Sequence, residues 1–379
     1  MSPVGDVERA ATIALAGLPK VGPARFRALV ADAGTAEAAW AAVRAGRLHD
    51  VPLRAGARHA QLVADLRDAA RAVEPADELA RHRAAGVEVL LPGDPAWPVA
   101  LVDDPDPPLA LFARGELALL DEVIVAVVGT RRCSGAGARI AGTLGADLAA
   151  AGVAVVSGLA LGIDGAAHRG ALGAGGRPVG VVGSGLDVVY PPQHRRLWHD
   201  VADAGLLLSE APLGRPPERW RFPARNRIIA ALSDAVVVVE SRRTGGSMTT
   251  VESALERDRP VMAVPGSVLA EQAAGTNQLL SEGATMVRDA VDVLGALACA
   301  PPRADDGPAR VGAAPGLAGL PADGPVAAVA AALSPAPVGI EHLATSAGVA
   351  VAEALTALAH LEAAGVARRV PGGYEQVVG

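Results

Sequence analysis

Anion binding is the chemistry that the residue types of this sequence favour most clearly. The segment VVGTRRCSGAG places Gly129, Thr130 and Arg131 directly after an apolar run, and Ser134 can cap the helix that follows. A glycine lets backbone N–H groups approach an anion, a helix N-terminus favours negative charge, and a guanidinium can hold a phosphate through two parallel hydrogen bonds. The segment lacks the G-x-G-x-x-G pattern, which weighs against NAD. It predicts either a phosphate-binding loop or a tight turn with a surface arginine.

A second glycine-rich loop follows a later apolar run. Gly245 and Gly246 precede a helical segment, which predicts another phosphate cradle. Glu252 lies further along and would suit a general base. Thr249 and Glu252, however, have the spacing of a capping box, in which the acid only satisfies backbone N–H groups. We favour the cap, so this segment predicts binding without catalysis.

Two further segments combine arginines with aromatic side chains. The segment GSGLDVVYPP and the helix after it supply six candidate residues, namely Gly183, Gly185, Asp187, Tyr190, Arg195 and Arg196. The segment 220–227, WRFPARNR, concentrates two aromatic residues and three arginines in eight positions, directly before an apolar helix. A charge run usually means a solvated face, but aromatic residues interleaved with arginine are typical of nucleic-acid contacts.

The segment SGLALGIDGAAH contains the residue types of a hydrolase without the corresponding pattern. Ser157 lacks the G-x-S-x-G elbow that exposes a nucleophile after a strand. Asp164 suits a helix N-cap, with His168 one turn further along and tied to the loop. These two residues alone are too few for a recognisable metal site. The segment therefore predicts a shaped loop, with neither catalysis nor a bound metal.

Alternating short apolar runs and helical segments must position these loops. The runs predict strands at Val123–Val128, Val153–Ser157, Pro178–Gly183, Gly205–Ser209, Ala235–Glu240 and Pro260–Pro265. Strands of this kind, each followed by a helix, are typical of a doubly wound, mostly parallel α/β sheet. Ligands of such sheets bind at the carboxyl ends of the strands, which is where the glycine-containing loops lie.

Composition at first argues against a nucleic-acid partner. The 379 residues carry a net charge of -7, and only 2% of them are aromatic. The charge is segregated, however, because twelve arginines face seven acidic residues between Val128 and Ala230. This segregation predicts a positive surface at the strand ends that binds a phosphate backbone, with an affinity that falls as salt rises.

Several other classes are excluded. No apolar run approaches the roughly 18–20 residues needed to span a bilayer, and the N-terminus has no signal pattern, so we expect a cytoplasmic protein without a membrane partner. The two cysteines, Cys133 and Cys299, are too few for a disulfide framework or a cysteine-based zinc site. We expect no cofactor.

The motifs, taken in order, closely resemble the DNA-processing protein A (DprA/Smf) family over roughly residues 90–295. The resemblance is carried by VVGTR, SGLALGIDGAAH, GSGLDVVYPP, LLLSEAP, FPARNRIIAALS, TGGSMTTVESALE, VPGS and GTNQLLSEGA. It implies an extended Rossmann-like domain that binds single-stranded DNA and forms homodimers. It also implies loading of a RecA-type recombinase in natural transformation or recombination, without enzymatic activity.

The resemblance also implies roles for individual residues. Gly129, Thr130 and Arg131 would form a phosphate-binding loop, and Gly183, Gly185, Asp187 and Tyr190 would shape the adjacent pocket. Phe222, Arg225, Asn226 and Arg227 match the F-P-x-R-N-R segment of the family. We assign Phe222 to stacking or pocket lining and the guanidiniums to phosphates. Asn226 either contacts DNA or satisfies loop backbone. The family often has a basic residue where Pro192 stands, so Arg195 or Arg196 would replace it.

Smaller units are expected at both ends of the chain. Residues 1–85 have helical spacing, and the segment LPKVGP within them resembles the hairpin of a helix-hairpin-helix or SAM-like module, for which we predict a scaffold role. Residues 86–298 form the Rossmann-like domain, and the Pro- and Gly-rich residues 299–324 predict a flexible linker. Residues 325–379 resemble a winged-helix domain.

The winged-helix block has the wrong charge for reading duplex DNA. Residues 340–365 contain three glutamates and neither Lys nor Arg, and the only positive charges nearby are Arg368 and Arg369 in the predicted wing. One helical face is predicted from Val351, Leu355, Leu358 and Leu361. We predict a partner-binding or regulatory module.

Two rival functions come from other classes. The Gly-Gly loop with a downstream Glu252 also resembles nucleotide-processing phosphoribohydrolases of the lysine-decarboxylase-like group, in which case Arg131 and Glu252 would be catalytic. The second rival function is that of a winged-helix regulator whose α/β body is inert. The acidic helical segment within residues 340–365 disfavours this function. The PARNR segment and the helical and winged ends favour DNA binding.

Overall fold

The computed structural model describes residues 4–48, 57–299, 324–334, 338–363, 366–370 and 373–376. The chain divides between Val293 and Leu294 into two compact units. The domain boundaries expected at residues 85 and 298 stay predictions. Apart from its two end residues, the predicted linker 299–324 lies outside the described residues.

Five helices open the first unit. They are α1 (Asp6–Gly17), α2 (Pro23–Ala33), α3 (Ala36–Ala45), α4 (Ala57–Arg71) and α5 (Pro75–Ala84). Proline at the first position begins α2 and α5, where its fixed φ suits a helix and no N–H is needed. The first four helices share an apolar core that includes Leu15, Phe26, Leu29, Trp40 and Leu66, whereas α5 contributes Leu79 to a different core. The helical character predicted for this region is confirmed.

A nine-stranded sheet forms the body of the first unit. Its strands are β1 (Glu88–Leu90), β2 (Leu111–Gly115), β3 (Ile124–Val128), β4 (Ala154–Ser157), β5 (Val179–Val182), β6 (Leu206–Ser209), β7 (Ala235–Val238), β8 (Val261–Ala263) and β9 (Thr285–Met286). Their order is β1-β2-β6-β5-β4-β3-β7-β8-β9. The pairs β1–β2 and β2–β6 are antiparallel, and the other pairs are parallel. The doubly wound, mostly parallel sheet and all six predicted strands are confirmed.

Helices cover both faces of this sheet. They are α6 (Gly135–Ala150), α7 (Ile163–Gly173), α8 (Arg195–Ala204), α9 (Arg221–Leu232), α10 (Met248–Leu255) and α11 (Ala274–Ser281), and α12 (Ala290–Cys299) follows them along the chain. On one face α9 and α10 contribute Ile228 and Val251 to the core. On the other face α1 and α8 contribute Ile13 and Trp198. Burial on both faces explains why the central strands are continuous apolar runs.

The strand order reverses between β3 and β7. From β3 the chain proceeds through β4 and β5 to β6 on one side, and it then returns to place β7 on the opposite side of β3. The loops that leave β3 and β7 therefore diverge to opposite faces and open a crevice at the carboxyl edge of the sheet, which is where ligands of doubly wound folds bind.

The second unit has winged-helix architecture. It contains α13 (Pro325–Ala332), α14 (Ile340–Ala347), α15 (Val351–Ala363) and a hairpin of β10 (Ala367–Val370) and β11 (Gly373–Gln376). Its core includes Val329, Leu343, Leu358, Leu361 and Tyr374. The predicted apolar face of α15 is partly wrong, because Val351 and Leu355 are exposed while Ala354 and Ala357 are buried. None of the described helices combines the length and apolar character needed to cross a membrane.

Candidate nucleic-acid interface

A cavity of about 650 Å³ occupies the crevice between the loops that follow β3 and β7. The first turns of α9 form its third wall. The structure brings together nine of the predicted site residues around this cavity, namely Gly129, Thr130, Arg131, Tyr190, Phe222, Arg225, Asn226, Gly245 and Gly246. Sequence reasoning therefore located the two loops and the arginine–aromatic segment that meet at one edge of the sheet.

Two side chains from different loops, Arg131 and Tyr190, contact the ring of Phe222 on the first turn of α9. The guanidinium carbon of Arg131 lies 4.9 Å from the centre of the Phe222 ring. The Tyr190 ring lies 5.3 Å from the Phe222 ring, between centroids, at an interplanar angle of 37°. Arg131 and Tyr190 are exposed and Phe222 is half-buried. The stack offers aromatic surface and a positive charge side by side, which suits a base and its neighbouring phosphate.

Gly129 is required by close packing after β3. A Cβ atom at this position would lie 2.6 Å from Cγ1 of Ile163 and 2.7 Å from the carbonyl oxygen of Glu240. The same carbonyl oxygen accepts a hydrogen bond from the Thr130 N–H at 2.7 Å. The Thr130 N–H is thus already satisfied within the chain, so the positive charge of this loop comes from the Arg131 and Arg132 side chains.

A carboxylate of the chain itself occupies the N-terminus of α6. Glu240 accepts hydrogen bonds from the Ser134 N–H at 2.8 Å and from the Ser134 hydroxyl at 2.6 Å. Ser134 in turn accepts from the Gly137 N–H at 2.9 Å, which confirms it as the helix cap. A Cβ at Gly137 would lie 2.4 Å from the Glu240 carboxyl carbon. The favourable end of this helix dipole is therefore neutralised internally.

Arg225 lies on the floor of the crevice. Its Nη1 donates to the Val181 carbonyl oxygen, and its Nε has no hydrogen-bond partner. A Cβ at Gly158 would lie 2.0 Å from Nη1, so only glycine leaves room for this guanidinium. Burial lowers the pKa of Arg225 to about 10, and the nearby Asp164 opposes that shift. The result is a buried, charged group beneath the aromatic stack.

The two residues that follow Arg225 have structural partners. Asn226 Nδ2 donates to the Gly246 carbonyl oxygen at 3.2 Å and to the Thr249 hydroxyl at 2.7 Å, so the side chain ties α9 to the glycine loop. Arg227 is buried and forms ion pairs with Asp106 and Glu210. Its charge is neutralised, and it does not line the cavity.

The remaining predicted site residues do not line this cavity. Asp187 accepts from the Gly214 N–H, with its two oxygens at 2.8 and 3.0 Å, and positions the loop after β6. Gly185 is buried below that loop, and Gly183 lies directly under Phe222 and lines an adjoining small pocket. Arg195 and Arg196 are exposed on the first turn of α8, where Arg196 lies 3.7 Å from Asp200.

Two predicted caps are wrong. The turn at Gly162, with φ of 81°, begins α7 two residues before Asp164, so Asp164 lies inside the helix. Its Oδ2 accepts from the Gly158 N–H at 3.0 Å, and burial raises the pKa of Asp164 although Arg225 opposes the shift. Thr249 forms no capping box with Glu252, because its hydroxyl donates to the Gly246 carbonyl oxygen and α10 begins at Met248.

The cavity also has basic residues that sequence reasoning did not single out. Arg132, Arg219 and Arg242 are exposed and line its mouth. Arg242 forms an ion pair with the exposed Glu271 at 3.0 Å. Each of these arginines lies in or next to a segment that the sequence identified, and the cluster of arginines was the available signal. Among the described residues, no group of three or more His, Cys, Asp or Glu side chains is placed to hold a metal ion.

Comparison with known proteins gives consistent matches. The family model for DNA recombination-mediator protein A matches residues 88–298, and the model for the DprA winged helix domain matches residues 313–373. Protein Smf from a Synechocystis strain is 39% identical over 233 residues, which is 60% of this chain and 58% of that protein. The chain thus matches less than two thirds of the length of this relative.

Two solved structures are similar. DNA processing protein A from Streptococcus pneumoniae matches with a TM-score of 0.64 and 32% identity, covering 78% of this chain and 98% of that one. DNA processing protein A from Helicobacter pylori, a structure that describes the single-stranded DNA binding mode of that protein, matches with a TM-score of 0.51 and 31% identity. It covers 56% of this chain and 96% of that one.

Proposed function

This chain belongs to the DNA recombination-mediator protein A (DprA/Smf) family, and from that premise we propose that it binds single-stranded DNA in the strand-end crevice and transfers it to a RecA-type recombinase. The stack of Arg131, Phe222 and Tyr190 is the observation that carries the proposal. The binding of single-stranded DNA by the Helicobacter pylori relative supports it.

The crevice suits a single strand better than a duplex. An aromatic ring can stack only on a base whose face is free, and the bases of a duplex are covered by their neighbours. The exposed guanidiniums of Arg131, Arg132, Arg219 and Arg242 surround the rings and can contact successive phosphates. Recognition by stacking and charge is largely independent of sequence, as a protein that receives arbitrary incoming DNA requires.

The protein acts in this proposal without catalysis and without a cofactor. In the alternative hypothesis of a phosphoribohydrolase, Glu252 would share a catalytic site with Arg131. Glu252, however, is exposed on α10 and does not line the cavity that contains Arg131. The buried Asp164 accepts a backbone hydrogen bond, which gives it a structural role. Incubation with nucleoside monophosphates should therefore release no free base, and measurable release would favour the enzyme.

Homodimerisation through the Rossmann-like domain, transfer to the recombinase and a cytoplasmic location complete the proposal. Family membership supports these parts. Sedimentation of the purified protein tests the dimer. A recombinase filament assay on single-stranded DNA coated with a competing binding protein tests the transfer, which should accelerate filament formation.

The central experiment is a comparison of binding to single-stranded and duplex DNA of the same sequence across a salt titration. We expect tighter binding of the single strand at every salt concentration, with log K falling linearly against log salt because bound phosphates release counterions. Equal affinity for both forms would contradict the proposal, as would binding that does not depend on salt.

A further inference from the structure

Trp220 stands at the start of the helix that carries the ring of the candidate interface. It is the N-cap of α9, and its carbonyl oxygen accepts a hydrogen bond from the Ala224 N–H at 3.3 Å. Phe222 lies two residues further along, on the first turn. Since successive residues of a helix follow one another at fixed angles, the position of Trp220 sets the point from which the Phe222 side chain starts.

The Trp220 ring packs against the hairpin, residues 18–22, that joins α1 to α2. A Cβ atom at Gly22 would lie 3.5 Å from Cη2 of Trp220 and 3.9 Å from both Cζ2 and Cζ3. The guanidinium carbon of Arg221 lies 4.5 Å from the centre of the same ring, and Arg221 Nε donates to Glu218 at 2.9 Å. A cavity of about 40 Å³ remains beside this contact, which is room for a water molecule and not for a base. The hairpin and Arg221 thus hold the ring.

Two polar contacts fasten the same N-terminal helices to the residues around α9. Arg215, in the loop after β6, donates from Nη2 to the Leu18 carbonyl oxygen of the hairpin at 2.6 Å. Asp106 accepts a hydrogen bond from Arg27 of α2, and its other oxygen lies 2.9 Å from Nε of Arg227 on α9. Asp106 therefore bridges α2 and α9 directly. Together with the Gly22 contact, these bonds fix the hairpin relative to the start of α9.

The first turn of α9 is tightly packed on the side that faces the sheet. A Cβ atom at Gly183 would lie 3.3 Å from Cδ1 of Phe222 and 3.5 Å from both Cβ and the carbonyl carbon of Arg221. One turn further along, Arg225 is 5% exposed and donates to the Val181 carbonyl oxygen. A turn packed in this way cannot absorb a shift of its first residue, so a movement of Trp220 is passed on to Phe222.

We propose that Trp220 is a positioning residue, through which the N-terminal helices hold the Phe222 ring in place for stacking on a base of single-stranded DNA. The inference rests on the proposed function. It gives the N-terminal helices a part in DNA binding that requires no DNA contact of their own. Stacking depends on the placement of the ring, whereas the exposed arginines reach phosphates through flexible side chains. Loss of the Trp220 contact should therefore weaken stacking and leave the phosphate contacts in place.

Trp220→Ala tests this role in the full-length protein, with labelled oligo(dT) titrated by anisotropy over a range of salt concentrations. We expect affinity to fall about fivefold, because part of the stacking on one base is lost. The salt slope should stay that of the wild type, because the number of phosphate contacts does not change. Arg131→Ala differs, since it should lower the slope as well. Trp220→Phe keeps a ring against Gly22 and should restore most of the affinity.

Two further variants separate positioning from a direct contact with DNA. Gly22→Leu keeps the tryptophan but displaces its ring from the hairpin side, so it should reproduce the loss of affinity without a change of slope. In a Phe222→Leu background, Trp220→Ala should cost little more, because the effect acts through the Phe222 ring. Trp220 is 42% exposed, and a direct DNA contact of that surface would instead make the two losses additive. Thermal unfolding of each variant shows that the protein remains folded.

The outcomes distinguish this inference from the function on which it rests. If the wild type binds oligo(dT) and folded Trp220→Ala or Gly22→Leu binds it equally tightly, the positioning role is wrong and the strand-end site stands. Additive losses with Phe222→Leu, or a reduced salt slope in Trp220→Ala, would have the same meaning. If the wild type does not bind oligo(dT), the proposed function itself fails, and the positioning role fails with it.

Discussion

The guanidinium carbon of Arg131 lies 4.9 Å from the centre of the Phe222 ring, although Arg131 follows β3 and Phe222 lies on the first turn of α9. A cation at this distance is attracted by the ring quadrupole, and the ring restricts where the guanidinium can point. Arg131 is therefore partly pre-organised for a phosphate, and the same ring also contacts Tyr190. We therefore expect the Arg131 guanidinium and the two aromatic rings to bind DNA together, as one continuous surface.

Replacing Arg131 should weaken binding of every single-stranded sequence. Arg131→Ala removes one phosphate contact, so we expect about a tenfold loss of affinity and a salt slope reduced by about one. Arg131→Lys should restore the slope but not the full affinity, because an ammonium neither stacks in the same way nor forms a bidentate contact. Anisotropy titrations between about 50 and 200 mM salt measure both quantities.

Arg71→Ala is the matched control for that series. It removes an exposed arginine of α4 that lies outside the crevice, so affinity and salt slope should change little. If Arg131→Ala binds as tightly as the wild type at matched salt, the assignment of this loop to phosphate binding is wrong.

Phe222 should contribute through its ring face. We expect Phe222→Leu to cost about 1–3 kcal/mol of binding free energy, since leucine fills the space but cannot stack on a base. The double variant with Arg131→Ala should lose less than the sum of the two single losses, because each change also removes the cation–π contact. Tyr190→Phe keeps all three members of the stack and serves as the control. Strict additivity would show that the two side chains act independently.

The positions of the candidate loops followed from the sequence because a parallel sheet brings successive strand ends to one edge. The sequence was enough to place the segments after β3 and β7 and the start of α9 at one edge of the sheet. It was not enough to predict the direction in which each side chain points. Arg225 and Arg227 are separated by one residue, yet the first lies under the crevice and the second pairs with Asp106 and Glu210.

Contacts between distant segments account for most of what the sequence did not predict. The pairing of Glu240 with Ser134 depends on the adjacency of β3 and β7, which no local pattern indicates. Trp198 and Trp220 are the same residue type, and only the packing around them buries Trp198 and leaves Trp220 exposed. The strands β1, β2 and β9 lie towards the edges of the sheet, and their short or mixed sequences carry a weak strand signal.

Removing the winged-helix block should leave DNA affinity nearly unchanged. The described helices α14 and α15 carry no Lys or Arg, so they offer little attraction for a phosphate backbone. We expect deletion of residues 325–379 to change single-strand affinity by less than about threefold. Anisotropy titration against the full chain measures this, and a loss of more than about tenfold would show that the block is part of the DNA site.

His168 gives the stability of the first unit a defined pH dependence. The side chain is completely buried on α7, and burial lowers the pKa of His168 to about 3. In the unfolded chain the imidazole takes up a proton near its ordinary pKa of about 6.5. Between about pH 3 and 6.5 the unfolded chain therefore binds a proton on His168 that the folded protein does not bind. The free energy of unfolding consequently has its full value, as far as His168 is concerned, above about pH 6.5, and it decreases as the pH falls towards 3.

Replacing His168 should reduce that dependence. The free energy of unfolding of the wild type should fall by up to about 1.4 kcal/mol per pH unit below pH 6.5 through this residue alone. His168→Gln should show a shallower slope between pH 6.5 and 5, whatever its stability at pH 8. Burial also lowers the pKa of His82, which will leave a residual slope of the same sign. Denaturant unfolding at stepped pH measures the difference, with the exposed His199→Gln as the control. Equal slopes for wild type and His168→Gln would mean that the buried imidazole takes up a proton in the folded protein.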